Sequence, residues 1–406
     1  MPAAPATEVV TPLTRPWERY IPPQATPAGL PNLRASHCGT CHTEIYQEWK
    51  STTHAVAWED AQFQAEWKKD GELWLCVNCH TPLANQRPTL VTGLLSGDFR
   101  RPVTKPNPLF DSALQHESIT CAVCHVRGGA VIGPGKATMA AHMTRTDPTL
   151  LSQALCEGCH NVQARLSDTL LCSFNTGDEW RANGKEGTAD EPKRGCIDCH
   201  MPTVERPMVA GGPKRPGRRH TWYGAGIAKL PGDIDVVRAA YQPGYDLELK
   251  ATTDPDPVQG QASVQIDLAI INLRAGHYIP TGDPERFITL ALSLGRPDAA
   301  GTPSAPIWTH TERIGEVWEW HPKARRLSEN RLAPGERREL NFAVPLPAAA
   351  SKQPQGAAKA DAPLVAEVVA LNHRMTEENA RGLGILGRYP LHIEAARQRV
   401  LVAPSR

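Results

Sequence analysis

The stretch "HCGTCHTEIYQEWKSTTHAVA", residues 37–57, contains a Cys-X-X-Cys-His motif and, twelve residues after it, an isolated histidine, His54. The same five-residue motif returns four more times in the 406-residue chain, and the five copies account for ten of its eleven cysteines. The copies, motifs 1 to 5, are "CGTCH" (38–42), "CVNCH" (76–80), "CAVCH" (121–125), "CEGCH" (156–160) and "CIDCH" (196–200). The first half of the chain is therefore organised around one short repeated unit.

Each motif carries the chemistry of c-type haem attachment, in which two thiols bond to the haem and the following histidine becomes an axial iron ligand. A zinc site does not need a histidine after its second cysteine in every copy, and a thioredoxin-like motif needs a strand-to-helix setting that is missing here. We therefore expect five covalent haem c groups within residues 38–200. The attachment cysteines are Cys38, Cys41, Cys76, Cys79, Cys121, Cys124, Cys156, Cys159, Cys196 and Cys199, and the first axial ligands are His42, His80, His125, His160 and His200. The remaining thiol, Cys172, is expected to be packed.

Composition excludes several classes of protein. Lysine and arginine (44 residues) nearly balance aspartate and glutamate (43 residues), so the polypeptide lacks the basic excess of a nucleic-acid binder. No run of 18 or more apolar residues occurs, so we expect no transmembrane segment. The first residues, "MPAAPATEVV", have neither a basic nor an apolar stretch, and no signal peptide is visible.

The chain divides into three parts. Residues 1–31 contain eight prolines and are expected to form an extended arm or tether. Residues 32–225 hold all five motifs, about forty residues for each. So short a segment cannot build its core from side chains alone, so we expect the haem groups to form the core, with short helices around them and irregular loops between.

The third part, residues 246–405, shows the alternation of apolar and polar residues that is typical of half-buried strands. The alternating positions include Val264, Ile266, Leu268 and Ile270, then Ile288, Leu290, Leu292 and Leu294, then Leu340, Phe342 and Val344, and another strand is expected at "LVAEVVALN" (364–372). A low-complexity loop, "AAASKQPQGAAKADAP", covers 348–363. The pattern predicts an antiparallel β-sandwich. The whole chain is thus expected to be α+β, a helical, loop-rich multihaem domain followed by a β-sandwich domain.

Histidines outside the motifs are the candidates for second axial ligands. Residues 1–225 contain five of them, as many as the haem groups expected there: His37, His54, His116, His142 and His220. If residues 41–55 form one helix, His54 lies about 18 Å along the axis from His42, so the two cannot ligate the same iron. We expect His54 to ligate another haem, and the alternative is a surface histidine in contact with solvent. His37 directly precedes Cys38, so it either points to a neighbouring haem or is a bystander.

The last part of the chain contributes one more candidate, His277, in "NLRAGHYIPTGDPERF" (272–287). His277 lies where a strand is expected to end and a tight turn to begin. It either reaches a haem across the interface between the domains or hydrogen-bonds the turn. The other histidines of this part are expected to be structural or exposed: His310, His321, His373 and His392.

The series "CHTEIYQEWKSTTHAVA", "CVNCHTPL", "ESITCAVCHVRGG", "CSFNTGDEW" and "CIDCHMP" followed by "RRHTWYG" resembles the multihaem cytochromes c related to cytochrome c-554 and hydroxylamine oxidoreductase. The resemblance covers residues 37 to about 224, and "GHYIPTG" resembles a stretch in C-terminal domains attached to such cytochromes. The second axial ligands that it implies are His54 for the haem of His125, His142 for that of His160, His116 for that of His42 and His220 for that of His200.

The same resemblance leaves the haem of His80 without an assured partner, since the second haem of cytochrome c-554 is five-coordinate. The unassigned histidines that could close this site are His37 and His277. We expect the site to be closed, because a second domain with a histidine on a loop offers a ligand that the shorter cytochrome c-554 chain lacks.

The resemblance also implies a location. Haem c is attached outside the cytoplasmic membrane, so the protein is expected to be periplasmic or extracellular. The chain as given is then expected to be a mature or trimmed form, or to begin at an incorrectly assigned start.

The function that these features favour is electron transfer between redox partner proteins through five haems, most of them ligated by two histidines. Chains joined end to end as a homo-oligomer or filament would have the same sequence features. The alternative is an oxidoreductase that acts on hydroxylamine, nitrite or nitric oxide at an open haem of His80. Against it, no Cys-X-X-Cys-Lys motif is present, and the eight-haem hydroxylamine oxidoreductases need three further motifs.

Overall fold

The computed structural model describes residues 8–135, 140–149, 151–183, 194–254, 262–346, 363–388 and 390–404. Short helices and small sheets lie mostly before residue 225, and long antiparallel strands lie after residue 245. We call residues 8–224 the haem-motif region and residues 246–404 the β-region. Across the described ranges, no helix reaches the length and apolar character that a membrane crossing needs.

Motifs 2 to 5 lie on short helices, and motif 1 begins at the last residue of a short helix and continues into the turn after it. Those helices are α1 (Ala35–Cys38), α4 (Val77–His80), α6 (Cys121–His125), α7 (Gln153–His160) and α9 (Cys196–His200). The other helices of the region are α2 (Thr43–Lys50), α3 (Ala61–Lys69), α5 (Ser112–His116) and α8 (Thr176–Ala182), with 3-10 turns at Pro16–Glu18 and Ala84–Gln86. One helical turn brings the two cysteines and the histidine of a motif to the same side of the backbone.

The segments between these helices contain short strands where the sequence indicated irregular loops. The strands are β1 (Val10–Thr11), β2 (Thr89–Leu95), β3 (Pro102–Pro106), β4 (Val126–Arg127), β5 (Ala130–Gly133), β6 (Thr144–Thr146), β7 (Val162–Arg165), β8 (Leu171–Phe174), β9 (Thr203–Pro207) and β10 (Lys214–Arg218). They form two- and three-stranded sheets in the orders β1-β2-β3, β4-β5-β6, β7-β8 and β10-β9. The backbone that follows motifs 3, 4 and 5 is therefore fixed by the ladder hydrogen bonds of β4, β7 and β9.

The described part of the predicted N-terminal arm, residues 8–31, packs on the elements that follow it. β1 pairs with β2, and the side-chain amide of Asn78 donates to the carbonyl of Trp17 at 2.9 Å. Gly29 adopts a φ of 92°, and a Cβ at this position would lie 2.9 Å from the Cα of His142. Only glycine accepts both that conformation and that approach, so the arm supports the segment that carries His142.

The β-region contains two antiparallel sheets. One has the order β11-β12-β16 and the other the order β15-β14-β13-β17-β18. The strands are β11 (Asp246–Asp254), β12 (Ser263–Ile271), β13 (Phe287–Pro297), β14 (Pro303–Glu319), β15 (Arg325–Glu329), β16 (Arg337–Pro345), β17 (Val365–His373) and β18 (His392–Leu401), and a helix, α11, covers Glu377–Gly382. The strands predicted from alternation are confirmed, whereas the loop predicted at 348–363 lies, except for Pro363, outside the described residues.

The alternating apolar residues of both sheets face one common core. Leu268 is opposite Leu340 in the first sheet, and Leu290 is opposite Ala370 in the second. Leu268 and Leu290 belong to one cluster of twenty buried residues. The haem-motif region, in contrast, has only small clusters among its described residues, and the largest holds six buried residues.

The link between the regions contains a 3-10 turn (Pro231–Asp233) and α10 (Ile234–Ala240). Asn372 of the β-region binds this link, because its side-chain amide donates to the carbonyl of Ala225 at 3.0 Å and to the hydroxyl of Tyr241 at 2.7 Å. Asp60 of the haem-motif region, whose side chain is 2% exposed, forms an ion pair with Lys229 of the link. The two regions therefore share a polar, buried interface.

Candidate haem-binding site

Eight histidines form four facing pairs of almost equal separation. The ring centres are 6.4 Å apart for His42 and His142, 6.2 Å for His160 and His54, 6.3 Å for His125 and His220, and 6.3 Å for His200 and His277. A metal–imidazole bond is about 2 Å long and the ring centre lies about 1 Å behind the bonded nitrogen, so imidazoles on opposite sides of one metal ion have centres about 6 Å apart. Each pair has the spacing that one iron between two imidazoles requires.

The ring nitrogens that would not bind iron face backbone carbonyls. Nδ1 lies within hydrogen-bond distance of a carbonyl oxygen in His42 (Met208, 2.6 Å), His125 (Ile132, 2.9 Å), His220 (Arg218, 3.0 Å), His277 (Tyr278, 2.8 Å) and His80 (Ala57, 2.7 Å). A carbonyl oxygen can only accept, so these five rings carry their proton on Nδ1. The lone pair of Nε2 is then free for a metal, as in most histidine ligands.

Burial lowers the pKa of six of the paired imidazoles and so favours the neutral form, which is the form that binds a metal. Burial, together with the neighbouring His160 and His200, lowers the pKa of His54 to about 3. Burial is also the main cause that lowers the pKa of His200 and of His220 to about 4.

The hairpin that leads to His220 explains why its partner is His125. β9 and β10 pair along five residues, and His220 is the second residue after β10. The same hairpin brings the carbonyl of Met208 to His42 and the backbone amide of Ala210 to the carbonyl of Cys41. The hairpin thus runs beside motif 1, which is a neighbour of motif 3. Its last residue, Arg218, still donates to the carbonyl of Ile197 in motif 5, but the ring of His220 faces His125.

The structure corrects the pairing that the resemblance implied for three histidines. His54 faces His160 and not His125, His142 faces His42 and not His160, and His220 faces His125 and not His200. For His54 the reason is local: α2 ends at Lys50, so His54 lies on the turns that follow and not on one long helix.

Neither His116 nor His37 forms a facing pair with a motif histidine. The His116 side chain is 59% exposed, and its Nδ1 lies 2.7 Å from a carboxylate oxygen of Glu59. The polar contacts described for His37 are those of its backbone, including its carbonyl, which accepts from the hydroxyl of Thr40 at 2.8 Å. The expectation that His116 faces His42 is therefore corrected, because His142 lies in that place.

The surroundings of His80 differ from those of the other motif histidines. All fifteen histidines lie in the described residues, and none of them forms a facing pair with His80. The ring of Phe63 stacks on His80 instead, with centres 3.6 Å apart and planes 11° from parallel. His277, expected to close this site, is 6.3 Å from His200. Burial nevertheless lowers the pKa of His80 to about 4, as it does in the paired rings.

Buried carboxyl groups from both regions meet beside motif 2, which the sequence did not indicate. The side-chain amide of Gln62 donates to Glu66 at 3.0 Å and to Asp283 at 3.3 Å. Burial and then Asp283 raise the pKa of Glu66 to about 8 and that of Glu285 to about 7. The packed thiol Cys172 lies close by, since burial and the charges of Cys79, Cys76, Asp283 and Glu66 raise its pKa to about 12.

Thiol contacts show which motifs are neighbours. Cys38 and Cys121 share a hydrogen bond that lowers the pKa of Cys38, and Cys156 and Cys196 share one that lowers the pKa of Cys156. A hydrogen bond to Cys159 is the first cause of the raised pKa of Cys79. These contacts join motif 1 to motif 3, motif 4 to motif 5 and motif 2 to motif 4.

Comparisons with known proteins agree with this geometry. Residues 37–96 match the family model described as "Cytochrome c554 and c-prime". The fold is similar to that of a penta-heme cytochrome c552 from Thermochromatium tepidum, with a TM-score of 0.60 and 17% identity over 93% of this chain and 100% of that chain. A comparison with curated proteins gives no match.

Two other solved structures align with part of the chain. The structural-genomics target SoR45 gives a TM-score of 0.18, with 11% identity over 41% of this chain and 90% of that one. The sporulation control protein Spo0M of Bacillus subtilis gives a TM-score of 0.16, with 12% identity over 40% of this chain and 50% of that one. Neither similarity carries an argument at these scores.

The motifs, the matched segment and the shared fold define a class of haem protein. The findings support a multihaem cytochrome c, because residues 37–96 match a cytochrome family model and the fold is similar to that of a penta-heme cytochrome. Cytochromes of this class carry covalent haem c, transfer electrons and are typically periplasmic or extracellular. The residues present fit that cofactor, because paired thiols, buried neutral imidazoles and correctly spaced ring pairs occur together.

Proposed function

We propose that this protein transfers electrons through five haem c groups, each attached by one motif. The observation that carries this function is the set of four histidine pairs with ring centres 6.2 to 6.4 Å apart. Haem c supplies reversible one-electron oxidation and reduction of iron when it is bound. The ten motif cysteines would hold it by thioether bonds, and the four pairs would occupy both axial positions.

A fixed pair of imidazoles suits electron transfer for two reasons. Both axial positions are filled, so these four sites leave no place for a substrate. The Nδ1 hydrogen bonds to Met208 and Ile132 fix the orientation of His42 and His125, so their geometry need not change between oxidation states.

The neighbouring motifs support a connected path. Contacts between cysteines link motif 1 with motif 3, and motif 4 with both motif 2 and motif 5. The charge of Cys124 in motif 3 also acts on the pKa of Cys156 in motif 4. The sequence of neighbours is then 1–3–4–5, with motif 2 as a branch at motif 4.

We also propose the domain roles that follow from this path. Residues 32–225 would form the pentahaem domain, and residues 246–405 a β-sandwich that supplies His277 to motif 5. Electron exchange would take place with other redox proteins outside the cytoplasm. The proposed path through the five motifs lies within one chain and needs no second copy of it.

A second candidate function is reaction of hydroxylamine, nitrite or nitric oxide at the haem of His80. It is favoured by the absence of a second histidine opposite His80 among the described residues. The buried carboxyl groups of Glu66 and Glu285, whose pKa values are raised to about 8 and 7, would hold protons at neutral pH. Such groups can deliver protons to a reduced nitrogen compound.

Electron paramagnetic resonance of the ferric protein tests both functions. We expect four low-spin haems and one high-spin haem per molecule, with five haem masses added to the denatured chain. His142→Ala should convert one more haem to high spin, whereas His116→Ala, the matched control, should change nothing. A mass count of four or fewer would contradict the pentahaem assignment, and an all-low-spin protein would contradict the second candidate.

A further inference from the structure

The loop that carries His277 belongs to the β-region, but it is held by a helix of the haem-motif region. Helix α8 (Thr176–Ala182) lies against residues 276–281. The amide of Asn183, directly after α8, donates to the carbonyl of Gly276 at 3.2 Å, and the hydroxyls of Thr176 and Thr281 are 2.8 Å apart. His277 therefore lies between two anchored points.

Glu179 is the charged centre of this contact. Its side chain accepts a hydrogen bond from the hydroxyl of Thr281 at 2.7 Å and another from the guanidinium of Arg331 at 2.7 Å. Glu179 is only 8% exposed, so both bonds are made away from bulk water. Burial lowers the pKa of His277, and the hydrogen bond to Tyr278 and the charge of Glu179 oppose that effect. Glu179 thus lies close enough to His277 to act on it.

The close approach of α8 also depends on Gly276. A Cβ at Gly276 would lie 3.0 Å from Cδ1 of Trp180, which is tighter than an ordinary contact. The helix thus presents Glu179 and Trp180 to the two ends of the loop. Within the described haem-motif region, the side-chain hydrogen bonds to residues 276–281 all come from α8 and from Asn183 after it.

Loss of the Glu179 charge should weaken the connection between α8 and the loop that carries His277 without unfolding the β-region. Arg331 would keep two other carboxylates, Glu316 at 3.2 Å and Glu329 at 2.7 Å. Its buried charge would stay compensated, so the large cost of an isolated buried ion does not arise. What is lost is the connection from α8 to the loop.

We propose that Glu179 is a positioning residue that, with Thr281 and Arg331, latches His277 opposite His200. This inference rests on the proposed haem ligation of motif 5. With the latch closed, motif 5 has two axial histidines. With the latch released, His277 moves away with its loop, and the iron held by His200 has an open position for a small external ligand.

The spectrum of this site can be told apart from the others. The rings of His200 and His277 are 9° from parallel, whereas the other three pairs are tilted by 35° to 51°. Near-parallel axial imidazoles give the most rhombic low-spin resonance, and the rhombic splitting decreases as the two planes turn towards perpendicular. The most rhombic of the four low-spin signals, called the rhombic signal from here on, therefore reports on motif 5.

The test compares Glu179→Gln and Thr281→Val with two controls in the fully haem-loaded protein. Thr281→Ser keeps the hydroxyl, and Glu367→Gln removes a carboxylate that is equally buried and pairs with Arg397 and Arg399 within the β-region. We expect the two latch variants to lose the rhombic signal, to gain one high-spin haem and to bind one more cyanide per molecule. Both controls should keep the wild-type spectrum.

Several results would overturn the latch. An unchanged rhombic signal in both latch variants would do so, as would an equal loss in Glu367→Gln. If the Glu179→Gln protein cannot be produced in folded form, the Thr281→Val variant alone tests the latch. A wild-type protein without any low-spin haem would contradict the proposed ligation itself, whereas a wild-type rhombic signal that survives in both variants contradicts only the latch.

Discussion

The haem-motif region and the β-region reach a folded state by different means. The two sheets of the β-region and the residues around them bury twenty apolar residues in one cluster, and the longer strands pair along nine or more residues. The largest described cluster of the haem-motif region holds six buried residues, and its strands are short. The comparison indicates that side chains alone complete one core, whereas the other needs the attached cofactor.

The largest expected effect follows from this difference. In chain produced without haem attachment, the amides of β12, β13 and β17 should stay protected from hydrogen exchange, because their core is made of side chains. The amides of α4, α6 and α9 should exchange at the rate of an unstructured chain. Hydrogen exchange followed by mass spectrometry on the apoprotein and the holoprotein measures both. Equal protection of the two regions in the apoprotein would break the comparison.

A smaller effect is expected from removal of one ligand inside the haem-motif region. His54→Ala should convert one low-spin haem with tilted imidazoles to high spin, because His54 is the histidine that faces His160. The rhombic signal of the His200 and His277 pair should remain, and so should exchange protection in β13. Loss of the rhombic signal in this variant would contradict the pairing.

Part of this site was predictable from the sequence. The limit of what could be predicted has a physical cause. The five motifs are local, so five residues suffice to identify a haem attachment site. The strands around Leu268 and Leu290 are also local, because alternation records which face is buried. The strand prediction is confirmed by the structure, and the five attachment sites stay a prediction.

The partners of the distal histidines were not predictable, because each depends on the path of the chain. His54 turns away after α2 ends at Lys50, and His220 is carried to motif 3 by a hairpin. His277 was recognised as a candidate, but its partner is set by α8 and Glu179, which lie about a hundred residues away in the sequence. Spacing along the chain carries no information about such contacts.

The interface between the regions was missed for the same reason, although it contains carboxyl groups whose pKa values are raised to about 8 and about 7. Glu66 and Asp283 are 217 residues apart in the sequence, and each alone is an ordinary charged residue. They meet only when α3 packs against the loop that contains Asp283, and Gln62 then binds both. The contact between two differently built regions thus creates groups with raised pKa values.

The smallest expected effect lies at that interface and is a change in pH dependence. Glu66 has an ordinary pKa of 4.5 when unfolded, and burial with Asp283 raises it to about 8 in the folded protein. Below pH 4.5 the carboxyl is protonated in both states. Between these two values the unfolded chain releases the proton while the folded protein keeps it, so the free energy of unfolding falls as the pH rises.

Glu66→Gln keeps an uncharged side chain of the same size at every pH, so it should flatten this decline and raise the urea midpoint at pH 8 more than at pH 5. Glu59→Gln is the matched control, because Glu59 belongs to the same region but its side chain is 54% exposed. Urea titrations of the holoprotein at several pH values between 5 and 9 measure the slope for each variant. If the two substitutions give the same slope as the wild-type protein, Glu66 is ionised in the folded state, and the carboxyl groups beside His80 are not a store of protons for chemistry at that haem.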